Sequence, residues 1–124
     1  MANKNHNFNL ACTDSDFTVQ ELKINVDGST PPPGQKKRLY DLPNQVVIHN
    51  DSIYALLVKW ANVTESDLTA GEWTGSWCLP GRDMKITRED VLYEKLLYKV
   101  AIKLGSAGSA NIKISGNDYR SVFE

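Results

Sequence analysis

Ile53-Tyr54-Ala55-Leu56-Leu57-Val58-Lys59-Trp60 is the stretch that decides the fold. Tyr54, Leu56, Val58 and Trp60 point one way, and Ile53, Ala55, Leu57 and Lys59 point the other. That is the period of a strand and not of a helix. Both faces are largely apolar. One predicts a core face; the other needs a second cover, from the N-terminal segment or from another subunit.

Working outward, Gln45-Val46-Val47-Ile48-His49 is a short β-branched run that Asn50-Asp51-Ser52 stops with turn chemistry. After a polar stretch come Trp73 and Trp77-Cys78-Leu79, a Pro80-Gly81 turn and a short strand at Met84-Lys85-Ile86. Thr87-Arg88-Glu89-Asp90 supports two readings. It has a helix cap and an acidic first turn, yet Tyr98, Val100, Ile102 and Leu104 alternate with Lys99, Ala101 and Lys103. We read a loop or single helical turn at 88–94 and a strand at 96–104. The connection Gly105-Ser106-Ala107-Gly108-Ser109 then returns Asn111-Ile112-Lys113-Ile114-Ser115 antiparallel. Seven or eight short strands with turn signals at roughly 8–15 residue spacing predict an all-β chain. Its expected form is a single antiparallel β-sandwich, Ig-like or jelly-roll-like.

The N-terminal third reads differently. Residues 1–7 are polar and read as an adaptable arm. Phe17–Val26 reads as a strand, with Phe17 and Val19 on one face, Leu22, Ile24 and Val26 on the other, and a bulge between the two sets. Three consecutive prolines, Pro31–Pro33, form an extended spacer without ladder donors. The expected organisation is an arm, strand and linker over 1–35 and the sandwich over 36–124.

Composition narrows the function classes. With 124 residues, 41% hydrophobic and 23% charged, the chain is globular. It is long enough to bury about two-thirds of its surface around one core. Fourteen Lys+Arg against 15 Asp+Glu give a net charge of −1, which argues against nucleic acid as the main partner. No run approaches 18 apolar residues, and the first residues lack the apolar core of a signal peptide. The expectation is therefore no membrane and synthesis in cytoplasm. Cys12 and Cys78 read as reduced, partly buried thiols, and with His6 and His49 they make no zinc set. The sequons at Asn50 and Asn62 read as chance matches.

Enzyme signatures are missing: GxSxG, HExxH, GxxxxGK[ST] and a strand-to-helix GxGxxG do not occur. Gly105–Gly108 joins two strands and has no helix N-terminus to hold a phosphate. His49, at a strand end, reads as a surface residue. Asp14 with Asp16, and Glu89 with Asp90, read as solvated or capping acids. We expect no catalytic residues, no cofactor and no metal. Trp60 and Trp77 read as core residues with Trp73 at an edge. The rival is a carbohydrate-binding module in which Trp73 and Trp77 stack on sugar rings.

From Leu39 onward the order of pieces carries a resemblance. Val46–Ser52 leads into Ile53–Trp60, a polar loop reaches Thr69-Ala70-Gly71-Glu72-Trp73, and Trp77-Cys78-Leu79-Pro80-Gly81 follows. Val100-Ala101-Ile102-Lys103-Leu104-Gly105 and Ala110-Asn111-Ile112-Lys113-Ile114-Ser115 close the chain. This resembles small β-sandwich virion proteins of tailed bacteriophages, of the capsid decoration or head-fibre type. In those, an "I-x-N-x-S" turn precedes a "Y-x-L-x-V-K-W"-like strand. The likeness covers roughly residues 40–115; the first 35 residues and the stretch near Val91 fall outside it. It implies a non-enzymatic structural protein, made in host cytoplasm and carried in the virion, that binds and stabilises a capsid shell.

The partners implied are the chain itself, as dimer or trimer, and a major capsid protein or another virion protein. The candidate interface joins Phe17 and Val19 of the arm to Ile53, Ala55 and Leu57, with Trp73 and a further apolar row at Ile112 and Ile114.

Overall fold

A computed structural model describes residues 5–24, 30–61, 74–91 and 96–123. Its strands are β1 (Asn5–Thr13), β2 (Thr18–Glu21), β3 (Arg38–His49), β4 (Leu56–Ala61), β5 (Thr74–Cys78), β6 (Asp83–Thr87), β7 (Lys99–Leu104) and β8 (Ser109–Phe123). They form two antiparallel four-stranded sheets, β1-β8-β3-β6 and β2-β7-β4-β5, packed as a β-sandwich. The first strand pairs with the eighth, the second with the seventh, the third with the sixth and the fourth with the fifth. That is jelly-roll winding: a long antiparallel ribbon, closed by the β4–β5 hairpin, is folded over so that the other successive strands alternate between the sheets. Of the two sandwich forms the sequence left open, the strand order selects this one.

Alternation fills the space between the sheets. Leu10, Cys12, Val46, Ile48, Ile86, Ile112 and Ile114 come inward from the first sheet. Leu56, Val58, Trp60, Cys78, Val100, Ile102 and Leu104 meet them from the second. Trp60 is 6% exposed, and its indole N–H donates to the Asp90 carbonyl at 3.1 Å, so burying this polar ring leaves no donor unpaired. Asp90 belongs to a single 3-10 turn, Arg88–Asp90. Its carboxylate accepts from Thr87 N–H at 2.8 Å and from Thr87 Oγ1 at 3.2 Å. Of the two readings of the segment, a helical turn followed by a strand is the one observed; residues 92–95 lie outside the described residues.

The arm requires correction. Residues 5–24 supply an edge strand to each sheet, with Leu10, Cys12 and Leu22 buried. The missed signal is the alternation Asn5, Asn7, Asn9 against His6, Phe8, Leu10 and Cys12, which puts amides in water and apolar groups in the core. The expected strand at Phe17–Val26 is shorter, and its pairing with β7 runs without a bulge. Odd and even positions face opposite ways by plain alternation, so no bulge is needed to part Phe17 and Val19 from Leu22. Ile24 makes one bridge to Asp41, and Val26 lies outside the described residues. Between β2 and β3, Gln35 N–H donates to Pro32 O at 3.1 Å, and Gly34 takes φ +83°. Proline then glycine at the centre makes this a type II turn. Pro43 is accommodated because β6 pairs only with Gln45–His49, which leaves that side of Pro43 without a ladder partner.

The turn after β3 is held by a side chain. Asn50 has no exposed surface. Its Nδ2 donates to the carbonyls of Tyr54 at 2.8 Å, Leu79 at 3.1 Å and Cys78 at 3.3 Å. Its Oδ1 accepts from Ser52 N–H at 3.2 Å and from Ser52 Oγ at 2.6 Å. Asn50 N–H donates to Arg82 O at 3.1 Å. One residue thus joins the β3–β4 turn to the β5–β6 turn, and a buried, fully bonded amide is no glycan acceptor. Asn50→Ala should cost about 2–3 kcal/mol in urea unfolding, because buried carbonyls lose their donor.

Cys12 and Cys78 are both free and buried. Burial pushes the Cys12 thiol from its ordinary 9.0 up to about 11 and the Tyr119 phenol from 10.0 up to about 12. The folded chain therefore keeps protons that the unfolded chain gives up above pH 9 and pH 10. The stability tied to them is complete below those values and is lost as pH climbs through about 11 and 12. Urea midpoints should fall steadily from pH 9 upward, and Cys12→Ala should remove the earlier part of that decline.

Candidate functional site: the two outer sheet faces

On the outside of β2-β7-β4-β5, register brings apolar and cationic groups together. Leu57 stands opposite Lys103 on one side and Trp77 on the other. In the next row Lys59 lies between Ala101 and Gly75, and Ala101 faces Val19. Phe17, just before β2, receives both cations: Lys59 Nζ lies 5.0 Å and Lys103 Nζ 5.5 Å from its ring centroid, within cation–π range.

Trp77 is 56% exposed, which corrects the expectation that it fills the core. Cys78 is the residue of β5 that turns inward, opposite Leu56, so Trp77 turns out beside Leu57. Its indole lies across Gly105, where an added Cβ would stand 3.0 Å from Trp77 Cζ3 and 3.2 Å from Ala55 O. Gly108, at φ +151°, likewise makes room for the Tyr54 ring. The glycines of the β7–β8 connection are thus seats for two aromatic rings. Ile53, 84% exposed, and Leu79, 58% exposed, sit on the two loops that Asn50 ties together.

The expected interface residues divide. Phe17, Val19, Ala55 and Leu57 are half-buried, the first two and Leu57 on this face and Ala55 just before β4. Ile53 is exposed in the turn ahead of β4, which begins only at Leu56. Trp73 lies outside the described residues. Ile112 and Ile114 are core residues and not an outer row. On β8 they face Leu10 and Phe8 across the β1 pairing and look inward, while Asn111, Lys113 and Ser115 look out. The sequence reading missed Lys103 and placed Trp77 outside only in the rival sugar-binding reading; continuing the alternation of 98–104 outward would have found the lysine.

The other outer face is polar. Asn5, Asn7 and Asn9 of β1, Lys113, Ser115 and Asn117 of β8, Gln45, Val47 and His49 of β3, and Asp83 and Lys85 of β6 share it. Across it runs a chain of side-chain bonds. Asp83 Oδ1 is 3.2 Å from His49 Nδ1, His49 Nε2 is 3.0 Å from Ser115 Oγ, and Ser115 Oγ donates to Asn7 Oδ1 at 3.0 Å. The order acid, imidazole, hydroxyl is that of a nucleophile with its base and orienter. Two features set it apart from that device. The serine hydroxyl is shared between His49 Nε2 and Asn7 Oδ1, each 3.0 Å away, so a second acceptor competes with the histidine for it. Ser115 is also flanked by ladder partners on both sides, Asn7 and Val47, so neighbouring N–H groups are engaged in the sheet plane and not gathered toward an oxyanion. The line fastens all four strands of the sheet.

Among the described residues no group of three or more His, Cys, Asp or Glu is placed to hold a metal ion. The chain matches no family model, curated protein or solved structure.

The two tryptophans should separate experimentally. Trp60→Ala should cost about 3–5 kcal/mol by emptying the core, whereas Trp77→Ala should cost about 1 kcal/mol or less in the same urea titration.

Proposed function

We propose that this chain is a non-enzymatic structural protein of a tailed-bacteriophage particle. In this reading it is a capsid decoration or head-fibre protein that binds and stabilises a shell. The observation that carries it is the outer face of β2-β7-β4-β5, where Trp77, Leu57 and Phe17 with Lys59 and Lys103 stay accessible on a sandwich whose core is already filled. Exposed apolar groups interleaved with cations suit a protein surface that is apolar with acidic side chains at its rim. The resemblance over residues 40–115 supplies the class of particle. Synthesis in the host cytoplasm, incorporation in the virion and self-association belong to the same reading.

Binding only to the assembled shell should raise the shell's melting temperature with occupancy. The test is co-sedimentation with emptied shells of the phage whose capsid gene neighbours this one. Wild-type protein should co-sediment, and Leu57→Asp and Trp77→Ala should each weaken attachment by about tenfold or more while melting as folded proteins. Absence of wild-type binding, or binding indifferent to both changes, overturns the reading.

The exposure of Trp77 favours one rival, carbohydrate binding by stacking. Retardation in a polysaccharide affinity gel, lost in Trp77→Ala, would replace the shell with a glycan.

A further inference from the structure

We infer that β1 is a dimerisation strand, pairing antiparallel with β1 of a second copy about a two-fold axis at Asn7. The inference deepens the self-association in the reading above, but it stands on β1 alone and needs no shell.

Strand β1 is the edge of its sheet, and all nine of its residues run in unbroken register with β8, from Asn5↔Asn117 to Thr13↔Ser109. Edges are ordinarily guarded by charge, proline, a bulge or brevity. The other three edge strands have four or five residues each, and β6 carries Asp83 and Lys85. From Asn5 to Thr13 there is no charged residue, no proline and no bulge, and Asn5, His6, Asn7 and Asn9 are exposed.

The direction of the free backbone groups follows from one contact. Thr18 Oγ1, which is not on β8, donates to the Ala11 carbonyl at 3.1 Å. In a regular strand alternate residues turn N–H and C=O to the same side. Asn9, Asn7 and Asn5 therefore present theirs to the open edge, while the Ala11 carbonyl is taken. That sets the axis at Asn7 and not at Asn9. Asn5 then pairs with Asn9 of the second copy, Asn7 with its own counterpart, and Asn9 with Asn5, making about six ladder hydrogen bonds.

The chemistry of this edge selects a second copy as the occupant. Two-fold pairing sets each side chain opposite itself or a near neighbour, so a charged residue would repel its own image. Asparagine is at once donor and acceptor and complements itself. On the core-facing side His6 and Phe8, already edge-to-face at 4.7 Å, would meet Phe8 and His6 of the second copy.

Sedimentation velocity of the full chain over a hundredfold concentration range should show a mass rising from 13.9 kDa toward twice that value. Asn7→Asp sets two carboxylates against each other across the axis and should weaken association by about tenfold or more. An equimolar mixture of Asn7→Asp and Asn7→Lys should restore it, a rescue that misfolding cannot produce. In wild-type protein the Asn5, Asn7 and Asn9 amides should exchange more slowly with deuterium as concentration rises. A single-chain mass at every concentration overturns the inference. So does a dimer indifferent to Asn7→Asp, a mixture that fails to associate, or unchanged exchange at the three amides.

Discussion

The Asn50 carboxamide is the constraint on which the rest of the structure depends. A jelly roll needs its ribbon folded over at sharp corners, and a corner leaves carbonyls pointing inward with no ladder to take them. Asn50 answers three of them at once and binds Ser52 with its oxygen. Because two of those carbonyls belong to Cys78 and Leu79, the same side chain fixes where β5 ends relative to where β4 begins. That sets Trp77 beside Leu57 and holds the loops that carry Ile53 and Leu79 together. The exposed apolar end of the molecule is therefore built by a buried polar group.

Most of the sandwich was legible wherever alternation was clean and uninterrupted. Leu56, Val58 and Trp60 declared their face, as did Val100, Ile102 and Leu104, and the Asn50-Asp51-Ser52 turn was readable from its own chemistry. What misled was context. Asparagines at Asn5, Asn7 and Asn9 look like a solvated tail until Phe8, Leu10 and Cys12 between them are counted. Trp77 beside Cys78 is ambiguous, because bulk argues for the core while parity puts the smaller cysteine there. Ile112 and Ile114 looked like a spare apolar row because the sequence does not say that β8 is a central strand, between β1 and β3.

The two outer faces divide the chemistry of the molecule. One is amide-rich and fastened by the Asp83–His49–Ser115–Asn7 line; the other combines aromatic rings with lysines. Lys59 lies between the small residues Ala101 and Gly75, and Gly75 and Gly105 leave room for Lys59 and Trp77. A near-neutral chain can thus present a locally positive, partly apolar surface without a general affinity for polyanions.

Joining the first strand to the last has a consequence for how the chain is made. Asn5 finds its partner only at Asn117, and β2 only at β7. While the polypeptide is being synthesised from its N-terminus, β1 therefore has no ladder partner from its own chain until β8 has emerged. Each sheet closes late, and contacts this distant in sequence slow the closing step. Throughout that interval the apolar stripe Phe8, Leu10 and Cys12 stays uncovered. The alternating asparagines then keep a waiting strand hydrated until β8 arrives.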